Sequence, residues 1–413
     1  MSTRVRGLIA IVGGFASCVI ASRPAPVDVA AFEWNHIALS ATIADHQEPA
    51  PQLRSMTIVQ VAVHDAVNLI TGKHKTYRAH VAAPASASVE AAAIAAAHTA
   101  LASLFAGQID TLNRARAASL SARRLTEADP GIQVGERVAA AILAARANDG
   151  AERAAFAYRA PGSGAPGVWV AIDNTPALLP GWGKVAPWVV RNTSEFRPPA
   201  PPSLASAVWA RDYNEVKQFG SETGSWRTAE QTGIAKFWMA SPSVIWNGVS
   251  RAIIDDRNLD ASDTAHVLAM IYLAASDAAV ICWAAKYEFN FWRPQHAIRS
   301  GGLDGNDDTV GDPGWTPLFP TPPHPDYLSG HATNSSAMAT MLGLFFGDNP
   351  GRPIVATSPT NPDDRRQWRT FSEGVTEAID ARVYAGLHYR TSDEAGAHVG
   401  RRVARFVFDH ALR

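Results

Sequence analysis

The chain has 413 residues, 47% hydrophobic and 18% charged, so it can bury a large core and global disorder is excluded. Its 37 Lys and Arg residues balance 38 Asp and Glu residues to a formal net charge of -1, which excludes a general attraction to nucleic acid or to an anionic membrane. Two cysteines, Cys18 and Cys282, allow at most one internal disulfide bond.

The N-terminus has the layout of a secretory signal. Arg4 and Arg6 precede a short apolar run over residues 7–20, and small residues and prolines follow it. The run is too short and too rich in glycine for a comfortable membrane span. We therefore predict that residues 1–25 are an export signal and that the mature protein is periplasmic or secreted, without a membrane span. An uncleaved anchor and a plain apolar tail are the alternatives.

Helical spacing of apolar residues dominates from Ala31 to about Asn148, and strand-like alternation is scarce there. Proline and glycine cluster between about residues 150 and 206, which predicts an irregular linker. Residues 26–206 are thus expected to form an N-terminal helical half that ends in a proline-rich linker.

The C-terminal half, residues 207–413, is predicted to be helical as well. The apolar stripe is strongest over residues 261–291, which predicts a largely buried helix, and a second proline-rich loop runs over residues 301–328. Further helices are predicted at residues 329–346, 362–385 and 391–412. We therefore predict an all-α fold of the double four-helix-bundle type with long irregular loops, in which the C-terminal half carries the chemistry.

Three short motifs in that half carry candidate functional side chains. Lys286 and Arg293 are seven residues apart, which places both cations on one face of a helix, and Pro294 is expected to end that helix. Ser329 follows the proline-rich loop and is predicted to cap the next helix. Gly330 there lets the backbone amides approach a bound anion closely.

The third motif runs from Arg382 to Glu394. Arg382 and His388 lie on different faces of a continuous helix, so the helix must stop between them for the two side chains to meet. Gly386 is a suitable stop, and Thr391 with Glu394 forms a capping box that is expected to begin the next helix. His388 is then predicted to lie in a tight turn beside Arg382.

Each motif alone has an ordinary explanation as a surface cation pair, a helix cap or a loop histidine. If the fold brings the three motifs together, their side chains make sense as an oxyanion site. Two guanidinium groups and an ammonium group repel one another by roughly 4 kcal/mol per contact at about 4 Å, for an effective dielectric near 20. We therefore expect a multiply charged anion to compensate Lys286, Arg293 and Arg382, with Ser329 and the Gly330 amide as neutral donors.

The order Lys-x6-Arg-Pro, Ser-Gly-His and Arg-x5-His resembles the signature of the vanadium-dependent haloperoxidases and of the related type 2 phosphatidic acid phosphatases. By this resemblance His388 binds vanadium, His331 is the acid-base group and Lys286 polarises hydrogen peroxide. The vanadate group, whose place phosphate can take, is held by Lys286, Arg293, Ser329, Gly330, Arg382 and His388.

The resemblance implies a peroxidase that oxidises a halide with hydrogen peroxide and halogenates a small organic acceptor. His324 resembles the halide-side histidine of bromide-oxidising members, so bromide is the expected halide; a loop histidine held by its flanking prolines is the alternative. An acid phosphatase that works through a phospho-histidine is the second candidate function, and a non-catalytic oxyanion-binding protein is the third. A homo-oligomer is compatible with the sequence.

The chain departs from the family pattern at two positions. Leu328 stands where the family usually has a proline before Ser-Gly-His. Ser392 stands four residues after His388, where an acidic residue is often found, and Asp393 follows it. Asp393 is predicted to lie in the first turn of a helix, where the helix dipole favours an acid.

Overall fold

A computed structural model describes residues 29–79 and 81–412. The predicted export signal and Cys18 lie outside these residues. Cys282 is buried and has a free thiol.

Thirteen α-helices form nearly all of the regular structure in these two ranges, which confirms the all-α prediction. The helices are α1 Ala30–Ala44, α2 Pro49–Thr71, α3 Val89–Leu104, α4 Ile109–Ala122, α5 Pro130–Arg146, α6 Ala207–Phe219, α7 Ala229–Phe237, α8 Pro242–Arg257, α9 Ala261–Phe289, α10 Pro294–Arg299, α11 Gly330–Phe346, α12 Phe371–Tyr384 and α13 Arg390–His410. Short 3-10 turns lie at Ala106–Gln108, Ala151–Arg153, Ile172–Asn174, Trp182–Lys184 and Thr193–Phe196.

The N-terminal helices pack closely because small residues line their contacts. Helix α3 is rich in alanine, and α5 presents Gly131 and Gly135 to it. A Cβ atom at Gly135 would lie 2.2 Å from the carbonyl oxygen of Ala92, so only glycine allows this approach. Helix α2 packs against both α3 and α5, and on its other side it contacts α9.

Helix α9 is the central element of the fold. It contacts α2 as well as α11 and α13, and nearly all of its side chains are buried. Its length and apolar composition would suffice for a membrane span, but 94% of its most apolar window is buried inside the protein, as in the core helix of a globular bundle. Helix α3 and residues 106–122 taken together are also long and apolar enough for a membrane span, but the two segments are bent by 118° relative to each other.

Helices α11 and α13 form the closest helix pair of the C-terminal half. Gly396 and Gly400 of α13 face α11, and a Cβ atom at Gly400 would lie 2.2 Å from the carbonyl oxygen of Thr333. This close approach brings the first turns of the two helices together. The residues that precede them, Ser329 and Tyr389, are the N-caps, so the loops before the two helices also meet.

The predicted helix over residues 362–385 is wrong in its first part. Residues Ile354–Ala356 (β1) and Arg366–Trp368 (β2) form an antiparallel hairpin in which Ile354 pairs with Trp368. Helix α12 begins only at Phe371, where Thr370 caps it. The physical reason is Trp368, whose buried ring stacks on Trp238 and Trp246 and holds this segment extended.

The two irregular stretches are confirmed. Residues 150–206 contain only short 3-10 turns between loops, and residues 301–328 form a loop without helices. The division of the chain into halves at residue 206 stays a prediction.

Candidate functional site

The three motifs meet in one buried place, although five segments of the chain contribute to it. Lys286 lies in the last turn of α9, Arg293 is the N-cap of α10, Arg382 lies in the last turn of α12, and His388 lies in the loop before α13. Ser329 comes from the N-cap of α11. All five residues are buried.

Lys286 and Arg293 reach the site in a different way from the predicted one. Helix α9 ends at Phe289 because Asn290 adopts a left-handed conformation with φ of 49°, so Arg293 does not lie on the same helix face as Lys286. Pro294 instead opens the short helix α10, at the position where a missing N–H group costs least. The chain turns between the two cations, and both still reach the same pocket.

The Lys286 ammonium group is held by backbone carbonyls. Its Nζ donates to the carbonyl oxygens of Pro325 and Asp326 at 2.9 and 3.0 Å. It also lies 5.8 Å from the ring centre of Trp283. Burial, and to a smaller extent the nearby Arg293, lowers the pKa of Lys286 to about 7.

Arg293 links two loops at the centre of the site. Its Nε donates to the carbonyl oxygen of His324 at 2.8 Å and one terminal nitrogen donates to that of Leu387 at 2.7 Å. The same terminal nitrogen lies 3.2 Å from Nε2 of His388, and the other lies 2.8 Å from Nδ1 of His324. His324 is therefore brought to the site, as expected, and its ring packs 5.5 Å from that of Trp283.

Arg382 and His331 carry buried nitrogen atoms without partners. One terminal nitrogen of Arg382 donates to the carbonyl oxygen of Trp238 at 3.1 Å, but its Nε has no hydrogen-bond partner among the residues that the structure describes. Nε2 of His331 has none either. Unsatisfied buried polar atoms are costly, so two of them in one pocket indicate a place for a polar ligand.

Ser329 caps α11 as predicted. Its hydroxyl accepts a hydrogen bond from the amide of Ala332 at 3.4 Å, and the amides of Gly330 and His331 belong to the first turn, where no intrahelical acceptor exists. Both residues are less deeply buried than Ser329, so the site is most open at this helix end. The N-terminal end of the helix dipole favours an anion here.

The tight turn before His388 is confirmed, but the predicted capping box is wrong. Gly386 has φ of 76°, and a Cβ atom there would lie 2.5 Å from the carbonyl oxygen of Gly220, so the stop requires glycine. Helix α13 begins at Arg390 with Tyr389 as N-cap. Thr391 does not cap the helix, because it is already the second helical residue; its amide donates to the carboxylate of Asp212 at 3.1 Å.

Sequence analysis missed Asp326. This residue lies in the proline-rich loop and is fully buried, with Oδ1 at 2.9 Å from Nδ1 of His388, although the angle is not that of a hydrogen bond. Its other oxygen accepts a hydrogen bond from the hydroxyl of Ser392. One hint of its role was present in the sequence, namely that Asp326 lies three residues before Ser329. The spacing of residues along a loop does not reveal a contact with His388, which is distant in the chain.

Asp393 lies in the first turn of α13, as predicted, but it also belongs to the site. It is fully buried, and neither of its oxygens has a hydrogen-bond partner of good geometry, although the hydroxyl of Ser329 lies beside it. Burial raises the pKa of Asp393 well above its ordinary value. Its neighbours are therefore Ser329 and Arg382 rather than His388.

The two carboxyl groups correct the expectation that only a multiply charged anion can compensate the three cations. Asp326 and Asp393 both attract Lys286 and Arg293, and Asp393 also attracts Arg382. Burial raises the pKa of Asp326 to about 7. With all five groups ionised, three positive and two negative charges leave an excess of one positive charge, which still favours an anion.

The three histidines of the site are neutral near pH 7. Burial, and secondly the neighbouring cations, hold the pKa values of His324, His331 and His388 well below the ordinary histidine value. A neutral imidazole has one nitrogen that can accept a proton or bind a metal. The site therefore combines an anion seat with basic nitrogen atoms at its edge.

A cavity of about 400 Å³ adjoins the loop that carries His324. Residues 316–323 line it together with Trp169 and Gln295. Pro323, on the cavity wall, is the direct neighbour of His324 in the chain, so one loop separates the cavity from the anion seat.

Comparisons with known proteins agree with this geometry. Residues 266–413 match the family model described as the VCPO second helical-bundle domain. The vanadium chloroperoxidase of Curvularia inaequalis is 25% identical over 205 residues, which is 42% of this chain; the match spans only 33% of that protein's length.

Solved structures share the fold over nearly the whole chain. A bacterial vanadium-dependent iodoperoxidase superposes with a TM-score of 0.79 at 23% identity, over 92% of this chain and 96% of the other. The holo form of a bacterial vanadium-dependent chloroperoxidase superposes with a TM-score of 0.70 at 18% identity, over 88% and 91% of the two chains. The resemblance found in the sequence is thus confirmed: the chain has the fold of the vanadium-dependent haloperoxidases, and residues 266–413 match the model of the second helical-bundle domain.

Proposed function

We propose that the chain is a vanadium-dependent haloperoxidase that oxidises a halide with hydrogen peroxide and halogenates an organic acceptor. One observation carries the proposal: Lys286, Arg293, Arg382, Ser329 and His388 converge from separate segments into one buried pocket with an excess of positive charge. A buried cluster of this kind is costly without a bound anion.

The residues of the pocket fit vanadate. A tetrahedral or trigonal-bipyramidal oxyanion needs several donors around it, and the partnerless Nε of Arg382 and the first-turn amides of α11 are such donors. Nε2 of His388 lies within the cation cluster, 3.2 Å from Arg293, and is the nitrogen placed to bind the metal. Lys286, Arg293, Arg382, Ser329 and Gly330 would hold the oxygens. When bound, vanadate supplies a Lewis acid that activates hydrogen peroxide without a change in oxidation state.

The chain's own residues then handle charge and protons. His331 accepts the peroxide proton at Nε2, because this nitrogen is neutral and has no other partner. Lys286, once protonated, draws electron density from the oxygen that the halide attacks. Helix α9 and the proline-rich loop cover most of the pocket and exclude water from it. Within the described ranges, the pocket is open to water only where α11 begins.

Bromide is the halide that we propose, and His324 is the supporting residue. Its neutral imidazole lies at the edge of the cation cluster, beside Arg293 and Trp283, where an anion can approach without meeting a like charge. The named relatives include an iodoperoxidase and chloroperoxidases. The halide must therefore be tested directly.

We place the organic acceptor in the 400 Å³ cavity beside the His324 loop. Trp169, Phe319 and several prolines give it an apolar wall, and Gln295 adds a polar group. This composition suits an aromatic ring with a hydroxyl substituent. Export of the protein, with residues 1–25 as the signal, is a proposal that rests on the N-terminal sequence alone.

The alternative is an acid phosphatase of the same superfamily. Phosphate has the geometry of the pocket, and His388 with Asp326 beside Nδ1 has the arrangement of a nucleophilic histidine. In that reaction Nε2 of His388 attacks phosphorus, the bond from phosphorus to the ester oxygen breaks, and His331, which must first be protonated, donates its proton to the leaving oxygen. A protein that only binds oxyanions is the third candidate.

A single set of assays separates these functions. The purified protein is loaded with orthovanadate and given hydrogen peroxide with chloride, bromide or iodide, and halogenation of a phenol-type dye is followed; a phosphomonoester is offered to the vanadate-free protein in parallel. The expected result is halide-dependent halogenation, fastest with bromide. Rapid ester hydrolysis without halogenation would establish the phosphatase instead, and tight phosphate binding without either reaction would establish the binding protein.

A further inference from the structure

The loop that precedes α11 supplies a carboxylate to His388. Asp326 is fully buried, and its Oδ1 lies 2.9 Å from Nδ1 of the imidazole. Among the described residues, Asp326 is the carboxyl group within ion-pair distance of His388, and Asp393 lies instead beside Ser329 and Arg382.

Asp326 is held in place from several sides. Its amide donates to the carbonyl oxygen of Phe291 at 2.9 Å, and its own carbonyl oxygen accepts from Nζ of Lys286 at 3.0 Å. Its Oδ2 accepts from the hydroxyl of Ser392, in the first turn of α13. A carboxyl group restrained in this way can restrain its neighbour in turn.

The position of this carboxylate selects one form of the imidazole. A carboxylate beside Nδ1 favours the tautomer that carries hydrogen on Nδ1, and this leaves the lone pair on Nε2. Nε2 is the nitrogen that faces the cation cluster, at 3.2 Å from Arg293. The correct tautomer is therefore the one that can bind a metal or attack phosphorus.

We propose that Asp326, fastened by Ser392, is the positioning residue that sets the tautomer and direction of His388. In this chain the carboxylate comes from the loop, and α13 contributes only the hydroxyl of Ser392, at the place where an acid would otherwise stand. The proposal rests on the proposed function for the identity of the ligand, but the tautomer is a property of the ligand-free protein.

The test uses the full chain labelled with nitrogen-15 in histidine. In the ligand-free wild type, the His388 signals assign hydrogen to Nδ1, and Asp326→Ala shifts them toward the other tautomer. Binding of orthovanadate, and of inorganic phosphate, weakens about 10- to 100-fold in this variant, as measured by calorimetry. Asp277→Asn is the matched control, because it alters an equally buried aspartate that accepts only from the backbone amides of residues 188–190.

If Asp326→Ala folds poorly, a double variant provides a second test of the proposal. Adding Ser392→Asp returns a carboxylate from the helix side, and both the tautomer signal and the affinity should recover at least in part. Ser392→Ala alone should weaken binding several-fold, because Oδ2 of Asp326 loses its donor. Unchanged histidine signals and unchanged affinity in Asp326→Ala would overturn the proposal. A shifted tautomer in a protein that neither halogenates nor hydrolyses esters would leave this inference standing and remove the proposed function.

Discussion

Lys286→Met is the substitution for which the structure makes the most specific prediction. The side chain is fully buried, and its ammonium group has only two backbone carbonyls as acceptors besides the aromatic ring of Trp283. Methionine has nearly the same length and lacks the charge. The variant therefore removes the cation and keeps most of the packing.

The size of the effect follows from the pKa of Lys286. Burial lowers it from 10.5 to about 7. At about 1.4 kcal/mol per pKa unit, charging this lysine inside the ligand-free protein costs on the order of 5 kcal/mol. An oxyanion at about 4 Å returns roughly 4 kcal/mol at an effective dielectric near 20. The attraction by the anion therefore nearly offsets the cost of charging the buried lysine. Without a ligand the Lys286 amine is largely neutral above pH 7, and it takes up a proton when the anion binds.

Two consequences can be measured. At pH 6.5 the variant should bind inorganic phosphate and orthovanadate more weakly, with roughly 1000-fold as the upper bound from about 4 kcal/mol of lost attraction. Above about pH 7 the wild type should lose affinity by up to about tenfold per pH unit more than the variant does, because it must take up one more proton. The protonation of the ligand itself is the same for both proteins and cancels in this comparison.

Stability of the ligand-free protein changes in the same pH window. Between about pH 7 and the ordinary lysine value of 10.5, the unfolded chain holds a proton that folded Lys286 does not, so the free energy of unfolding rises with pH. Asp326, whose pKa is about 7, is ionised in both states over most of this window and adds little to the slope. Lys286→Met should flatten the rise, and thermal melts at pH 7 and pH 9 measure it.

Calorimetric titrations of the wild type and Lys286→Met between pH 6.5 and 9 complete the experiment. Lys184→Met is the matched control, because Lys184 is exposed and lies in a 3-10 turn of the linker. Parallel pH slopes for the wild type and Lys286→Met, together with a loss of affinity below tenfold, would refute the reasoning that Lys286 becomes charged on binding.

Three other substitutions test the remaining parts of the site. His388→Ala should abolish halogenation and ester hydrolysis alike, and full turnover in either assay would contradict its assignment. Gly386→Ala should lower the melting temperature markedly, through a loss on the order of 3 kcal/mol or more, because its Cβ atom would lie 2.5 Å from the carbonyl oxygen of Gly220 at a φ of 76°. Phe319→Ala should raise KM for the phenol-type dye and leave the rate of halide oxidation unchanged; an unchanged KM would mean that the acceptor reacts outside the cavity.

The sequence predicted the helices well because their apolar stripes are continuous. Helix α9 is the clearest case, since its buried face extends around nearly the whole cylinder. The error over residues 362–370 has a specific cause: the segment around Trp368 contains charged residues at spacings that also suit a helix, and a stacking partner distant in the chain, Trp238, holds the strand instead. Local periodicity cannot show such a partner.

The site was predicted as a set of side chains, but its geometry was not. Short motifs identified Lys286, Arg293, Ser329, Arg382 and His388, and the fold places all five together. The turn after Phe289 was missed, because Asn290 is held by residues distant in the chain: the hydroxyl of Tyr158 donates to its side chain and the amide of Trp169 donates to its carbonyl oxygen. Asp326 was missed in a different way, since a single aspartate in a loop has no periodic pattern. Asp393 was named from the sequence, but only as an acid in the first turn of a helix.

The two buried carboxyl groups change how the site is understood. A pocket with three cations alone would need its anion in order to fold, because each uncompensated charge in the core costs several kcal/mol. Asp326 and Asp393 offset the charges of Arg293 and Arg382, and Lys286 is largely neutral above about pH 7, so the ligand-free protein can exist. The two carboxyl groups do so at positions away from the ligand: Asp326 lies behind His388, and Asp393 lies beside Ser329. The anion can therefore leave and return without unfolding the helices that surround it, which a cofactor loaded after folding requires.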